Sequence, residues 1–309
     1  MTVFLVYREE GLPKNSEALV SNYLKNKFEF SKLVNSYDNK VIAFLSDSCD
    51  LQKDHNNLQI IWGEVTSIED NVVKSKKNVH NYIKSIWNNN KFSNFSNIDG
   101  SWGFFKYLNN NIYFSKGAFT SSSVSPDLFY LKESNFFFIS SNINYLVCLA
   151  ANSSFHIGSV LSSFRFGSPS PGRTLLEEIR RAEAGNIYTY SDNNIIVSKN
   201  TFQIIKKFWW EKYSKAVSLK NAIEDLNQVN LQNMINILPD TASPSITMSG
   251  GIDSACSAIS ISKTKFKDNW LGIYGSKRGE DLKKGKDQLS ELESSRFVAN
   301  KKSGKHIAI

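Results

Sequence analysis

Cysteine is scarce in this chain. Three occur in 309 residues, Cys49, Cys148 and Cys256, odd in number and far apart. That count argues against a disulfide scaffold and against a cysteine-based zinc site, and it fits a reducing cytoplasm. Histidine is also rare: His55, His80, His156 and His306 stand at no metal-ligand spacing. No apolar run reaches the roughly 18 residues of a membrane span. The opening stretch, Met1 to Arg8, has no basic leader, no long apolar stretch and no small-residue cleavage site, so it reads as a strand rather than a secretory signal. There is no internal repeat and no low-complexity tract. The G-x-x-x-x-G-K-[ST] phosphate loop is absent.

What is present is an ordinary globular composition with a basic balance. The chain is 41% hydrophobic and 13% aromatic, with a formal net charge of +8. Its length fits about two domains. Lysines gather modestly at 74–77, 283–286 and 301–305. A basic patch can attract nucleic acid or an acidic peptide. No interleaving of basic and aromatic residues marks an RNA platform, however, so the expectation is a solvated lysine-rich surface without a nucleic-acid partner.

The first 150 residues are β-rich. Strands are expected at 3–7, 41–45, 58–62, 102–107, 112–115, 128–131 and 136–139, with Asn109-Asn110-Asn111 as a hairpin turn. Helical spacing appears over about 15–36 and 79–90. Repeated strands with two helices indicate α+β layers or a sandwich. Helical patterns return over 142–165, a Gly/Pro/Ser stretch covers 167–172, and a strand-like zone runs over about 185–208 to Phe208-Trp209-Trp210. An amphipathic helix at about 217–238, carrying Ile223, Leu226, Met234, Ile237 and Leu238, ends at Pro239. The domains are placed at 1–208 and 209–309. The second reads as strand, helix 253–264, strand 270–275, charged loop 276–288, helix 290–302 and a final strand from His306. This is the front of a parallel α/β sheet.

One stretch carries chemistry. Ser245 to Ser257 reads S-I-T-M-S-G-G-I-D-S-A-C-S: a short apolar strand, a glycine turn, then small residues with helical character. Glycines let backbone N–H groups crowd an anion, and a helix N-terminus adds partial positive charge. Cys256 is expected on the buried face of that helix.

The run from Ser249 to Ser254, S-G-G-I-D-S, resembles the loop with which AMP-forming ATP pyrophosphatases grip the departing pyrophosphate. With its surroundings, the chain resembles the front part of an asparagine-synthetase-like protein. Glu291 to Asn300, followed by His306 and Ile309, is similar to that family's acidic helix and histidine-bearing strand. In the first half, Ile60 to Val65, Ile98 to Phe104, Asp127 to Tyr130, Phe138 to Ser141, and Arg173-Thr174-Leu175 through Ala184-Gly185-Asn186 are similar to successive segments of the family's glutaminase domain.

The resemblance implies a layered α+β, glutaminase-like (Ntn-type) domain followed by the first part of an α/β ATP-pyrophosphatase domain. It implies ATP and Mg²⁺ as cofactors. Ser249, Gly250, Gly251 and Ser254 would hold pyrophosphate, Asp253 would reach the metal, and the backbones of Met248 and Tyr274 would lie near adenosine. For Met248 and Tyr274, core packing is an equal alternative, and His306 is expected to be structural. The substrate would be a small-molecule or peptide carboxylate, with a precursor peptide as a candidate partner.

The departures are specific. The family's glutaminase nucleophile, a cysteine after the initiator Met, is Thr2 here, and the asparagine of its N-G-E segment is Trp62. No R-L-S segment precedes it and no well-placed Asp follows. An N-terminal domain unable to hydrolyse glutamine is expected. In this the chain resembles β-lactam synthetases and, most of all, lasso-peptide cyclases, which adenylate a carboxylate and let an amine of the substrate attack. The family's second nucleotide segment and its amide-forming lysine do not appear, so the chain is expected to be a fragment, a natural truncation or one half of a split enzyme. A degenerate scaffold that binds nucleotide or substrate without catalysis stays open as the other reading, with a tRNA-modifying or NAD-synthesising pyrophosphatase-loop enzyme behind it.

Overall fold

The computed structural model describes residues 3–15, 30–47, 49–54, 57–69, 72–73, 98–117, 127–150, 153–200, 218–238, 243–275, 286–302 and 304–308. The chain forms two compact units, Met1–Trp210 and Glu211–Ile309.

The first unit is built on two antiparallel sheets. One contains β1 (Val3–Arg8), β2 (Lys32–Asn35), β3 (Val41–Leu45), β9 (Phe129–Glu133), β10 (Phe136–Ser140) and β11 (Ile179–Arg181), in the order β11-β9-β10-β1-β3-β2. The other contains β4 (Asp50–Asp54), β5 (Asn57–Glu69), β7 (Ile98–Leu108), β8 (Asn111–Lys116), β12 (Asn186–Ser191) and β13 (Asn194–Asn200), in the order β13-β12-β8-β7-β5-β4; β6 (Val72–Val73) pairs with β5. Mixed α/β architecture with antiparallel sheets is therefore what the chain adopts.

The apolar run of β1 has no polar face because both its faces are covered. Val3, Leu5 and Tyr7 join Val41, Ala43, Ile60, Trp62, Phe105, Phe114 and Tyr188 in the core between the sheets. Phe4 and Val6 face the other way, with Ile42, Phe44 and Leu131, against Tyr145 and Leu146 of the short helix α1 (Ile143–Val147). The period-2 alternation of a strand thus feeds two cores at once. Each fully buried large apolar side chain contributes about 1.5–3 kcal/mol. Phe137 stacks on Tyr190 from the facing sheet, centroids 4.1 Å apart and planes 5° off parallel. At one end of the sandwich Tyr107 donates its hydroxyl hydrogen bond to Asp38, and Tyr7 donates to the carbonyl of Asn110 at 3.2 Å. Burial of Asp38 opposes ionisation, but hydrogen bonds from Ser36 and Tyr107 outweigh it and hold the carboxyl below its usual range.

The hairpin expected at the asparagine run is present. Asn109 and Asn110 have φ of 48° and 66°, the left-handed pair of a two-residue turn that asparagine tolerates. Asp192 and Asn193 repeat it between β12 and β13, with φ of 47° and 60°. Other expectations fail. Lys32–Asn35, read as the end of a helix, is an edge strand, and β4 and β11 were not foreseen. The remainder of the 15–36 pattern from residue 16 to 29, the 79–90 helix, Phe208-Trp209-Trp210 and Pro239 lie outside the described residues. After α1, helix α2 (Ile157–Phe166) ends at Gly167 with φ 73°.

The second unit holds α3 (Leu219–Ile237), α4 (Ile252–Ile261) and α5 (Lys286–Lys301) with a parallel sheet, β14 (Ser245–Thr247), β15 (Leu271–Tyr274) and β16 (Lys305–Ala308), in that order. Ser218 caps α3, accepting from Asn221 N–H at 3.2 Å. α5 begins at Lys286, inside the stretch expected as loop; 276–285 lies outside the described residues. Trp270 lies across Gly304, where an added Cβ would fall 2.4 Å from Cζ2, and its Nε1 donates to the Lys302 carbonyl at 3.1 Å. Met248, Ala258, Ile261, Phe266, Trp270 and Ala299 form this unit's core.

Candidate functional site: a glycine loop at the head of a helix

β14 stops at Thr247 and α4 starts at Ile252, leaving four residues to turn the chain. Met248 anchors the turn from below. Its side chain is buried, and its N–H donates to the Ile273 carbonyl at 2.7 Å. Gly250 then takes φ 79°, a conformation that costs an L side chain about 1–2 kcal/mol. Gly251 is the N-cap of α4 and offers no side chain to the first-turn N–H groups. Those donors are satisfied in other helices by a capping oxygen; here the position is left to solvent or to a ligand.

The hydroxyls shape the rim. Ser249 Oγ accepts from Gly251 N–H at 3.3 Å and lies 3.4 Å from Ser254 Oγ, which donates to the Gly251 carbonyl at 2.9 Å. A Cβ at Gly251 would come within 3.3 Å of Ser249 Oγ. Asp253 stands exposed in the first turn of α4. The fold therefore brings Ser249, Gly250, Gly251, Asp253 and Ser254 together around one helix end, at the carboxyl end of a parallel strand, where α/β sheets commonly bind ligands.

Two expected neighbours contribute differently. The side chains of Met248 and Tyr274 are both buried, so a ligand could meet only their backbones, and the Met248 N–H is already donated to Ile273. Cys256 corrects the sequence reading: it is exposed. α4 turns Ala258 and Ile261 to the core instead, because they lie about one turn apart. Burial, and to a lesser degree the positive charge of Arg296, hold the His306 imidazole below its usual pKa, and its Nε2 lies 2.9 Å from the buried Ser295 hydroxyl. That contact joins α5 to β16. The side chain of Glu291 lies outside the described residues.

The residues fit a pyrophosphate better than a resident metal. Glycines without clashing side chains, an uncapped helix end and two hydroxyls are anion-binding chemistry. Among the described residues no cluster of three or more His, Cys, Asp or Glu is placed to hold a metal ion. One carboxylate, Asp253, fits Mg²⁺ only together with phosphate oxygens.

In the first unit, Thr2 lies outside the described residues. Trp62 is fully buried. Its indole lies against Gly103, its register partner on β7, where a Cβ would sit 2.2 Å from Cζ2. The indole fills the inter-sheet core, so this position presents no side-chain amide there. Gly103 in turn pairs with Lys116. That ammonium is almost fully buried, 3.5 Å from an Asp127 carboxylate that Arg181 also grips; burial pushes the lysine pKa down. No sequence motif marks this trio, because its members are distant in the chain and only the fold joins them.

No protein-family model matches the chain, and no curated protein matches it. Among solved structures it is similar to the glutamine phosphoribosylpyrophosphate amidotransferase from B. subtilis complexed with ADP and GMP, at 8% identity and a TM-score of 0.39, over 64% of this chain and 49% of that one. A structure described as the allosteric regulatory enzyme of purine biosynthesis matches at 9% identity and TM-score 0.39, over the same shares. A glutamine aminotransferase class-II domain protein from Silicibacter pomeroyi matches at 5% identity and TM-score 0.34, over 64% of this chain and 98% of that one. The match spans about half the length of the first two structures. No described helix is long and apolar enough to cross a membrane.

Proposed function

We propose that the chain belongs to the asparagine-synthetase-like class and takes part in ATP-dependent, AMP-forming amide synthesis without hydrolysing glutamine. The observation that carries this reading is the S-G-G-I-D-S loop, in which a glycine at φ 79° leads into an uncapped helix N-terminus flanked by two hydroxyls. Anionic oxygens of the β- and γ-phosphates would accept from the first-turn N–H groups and from Ser249 and Ser254. When bound, Mg²⁺ would neutralise charge on the phosphate oxygens, held on the protein side by Asp253. The loop's work is positioning and charge neutralisation. A substrate carboxylate attacks the α-phosphorus and pyrophosphate leaves. An amine then displaces AMP from the mixed anhydride, giving the amide.

Trp62 supports the loss of glutaminase chemistry, since an apolar indole stands where the resembled family carries an asparagine. With ammonia not generated in place, an amine of the substrate itself is the nucleophile, as in lasso-peptide cyclases, with a peptide carboxylate as substrate. Cytoplasmic location follows the same reading. Carboxylate-dependent ATP–pyrophosphate exchange tests the proposal. Exchange with a candidate acid supports adenylation. Nucleotide binding without exchange, across the acids tried, favours the scaffold reading.

A further inference from the structure

Helix α2 is inside out. Its buried residue is Ser159, whose hydroxyl meets His156 Nδ1 at 2.9 Å; the Ser163 hydroxyl donates to the Ser159 carbonyl at 2.8 Å. Its large apolar residues point away from the unit. Ile157, Leu161 and Phe164 are 67%, 63% and 86% exposed, and their spacing places them in one stripe. Phe155 and Leu175, 69% and 42% exposed, extend the stripe at its start, where His156 N–H bonds the Leu175 carbonyl at 2.9 Å. With aromatic side chains of roughly 200 Å² each, these five offer on the order of 600 Å² of apolar surface. That is the top of the range for the largest patch on a monomer. It is most of the ~800 Å² each partner contributes to a standard interface.

The charges at the two ends of the stripe are opposite and unspent. At the C-terminal end, Arg165 lies over the ring of Phe166, 5.2 Å from its centroid, and pairs with no carboxylate among the described residues. At the N-terminal end, the exposed carboxylate of Glu178 accepts from Ser154 N–H and hydroxyl, both at 3.1 Å, with no cation beside it among the described residues. Glu177, by contrast, is already engaged by Arg173 and Arg180. A two-fold axis sets residue i against j and j against i. Two such helices laid antiparallel would match stripe to stripe and bring the positive end of each to the negative end of the other.

We propose that the outward stripe of α2 is a two-fold interface between two copies of this chain, α2 packed antiparallel on α2, with Arg165 facing the partner's Glu178. This is independent of the nucleotide reading. Sedimentation velocity of the full chain, from low to high micromolar, tests it. The wild type is expected to be a dimer. Phe164→Glu is expected to be a monomer with unchanged circular dichroism, because the residue is exposed and its loss leaves no hole. Arg165→Glu should raise the dimer Kd about tenfold, and Arg165→Glu combined with Glu178→Arg should restore it. A wild type that stays monomeric throughout overturns the proposal, as does a dimer untouched by Phe164→Glu. Loss of the dimer without rescue by the charge swap overturns the antiparallel pairing.

Discussion

Replacing Gly103 by alanine probes the packing of the Trp62 indole on its register partner in the inter-sheet core. The new Cβ would sit 2.2 and 2.3 Å from Cζ2 and Cε2 of Trp62, against the 3.5–4.0 Å of a relaxed carbon contact. The overlap is therefore more than 1 Å. Trp62 is at 0% exposure and has no open side to move towards. Overpacking in a dense core costs about 1–3 kcal/mol, and this overlap belongs at the upper end, near 3 kcal/mol. Trp62→Leu alone should also destabilise, by roughly 2–4 kcal/mol for the cavity left behind. The two changes should compensate: the double variant is expected about 2 kcal/mol more stable than the sum of the singles predicts. Urea unfolding followed by far-UV circular dichroism, fitted for the first unit's transition, measures all four proteins. A Gly103→Ala chain within 0.5 kcal/mol of wild type, or additive singles, would refute the packing of the indole on the glycine.

Purified protein should release no glutamate from glutamine, with Trp62 buried at the position of the resembled family's amide; detectable release contradicts the loss of that activity. Gly304→Ala should destabilise the second unit by about 1–3 kcal/mol, because its Cβ would strike Trp270; thermal unfolding of that unit is the readout. His306 binds its proton less readily when folded. The unfolded chain therefore takes up more protons as pH falls through its unfolded value of about 6.5, and the second unit should lose stability on acidification and regain it as pH rises. His306→Gln should flatten that dependence in unfolding curves taken from pH 5 to pH 8.

Much of the layered fold was legible because core strands declare themselves. Val3–Tyr7 and Val41–Leu45 are continuous apolar runs that only a strand buried on both faces explains. The asparagine pair at 109–110 names its own turn. The strands that escaped notice, Lys32–Asn35, Asp50–Asp54 and Ile179–Arg181, are short, polar and near sheet edges, so their pairing comes from neighbours rather than from their own pattern. The loop at Ser249 was readable because its chemistry is local: glycines, hydroxyls and a carboxylate within six residues. The exposure of Cys256 was not, since which face of α4 is buried depends on the sheet it packs against. The trio of Lys116, Asp127 and Arg181 was invisible for the same reason, as was the inverted polarity of α2, whose apolar spacing reads like that of any core-facing helix.

If Ser249 to Ser254 hold the pyrophosphate end of ATP, calorimetry of the full chain with MgATP should show binding that inorganic pyrophosphate competes away. Gly250→Ala should weaken it about tenfold, from roughly 1.4 kcal/mol of backbone strain at φ 79°. Asp253→Asn should weaken it in magnesium but not in its absence. Binding of MgATP that ignores pyrophosphate and both substitutions, or no binding at all, would contradict that role for the loop.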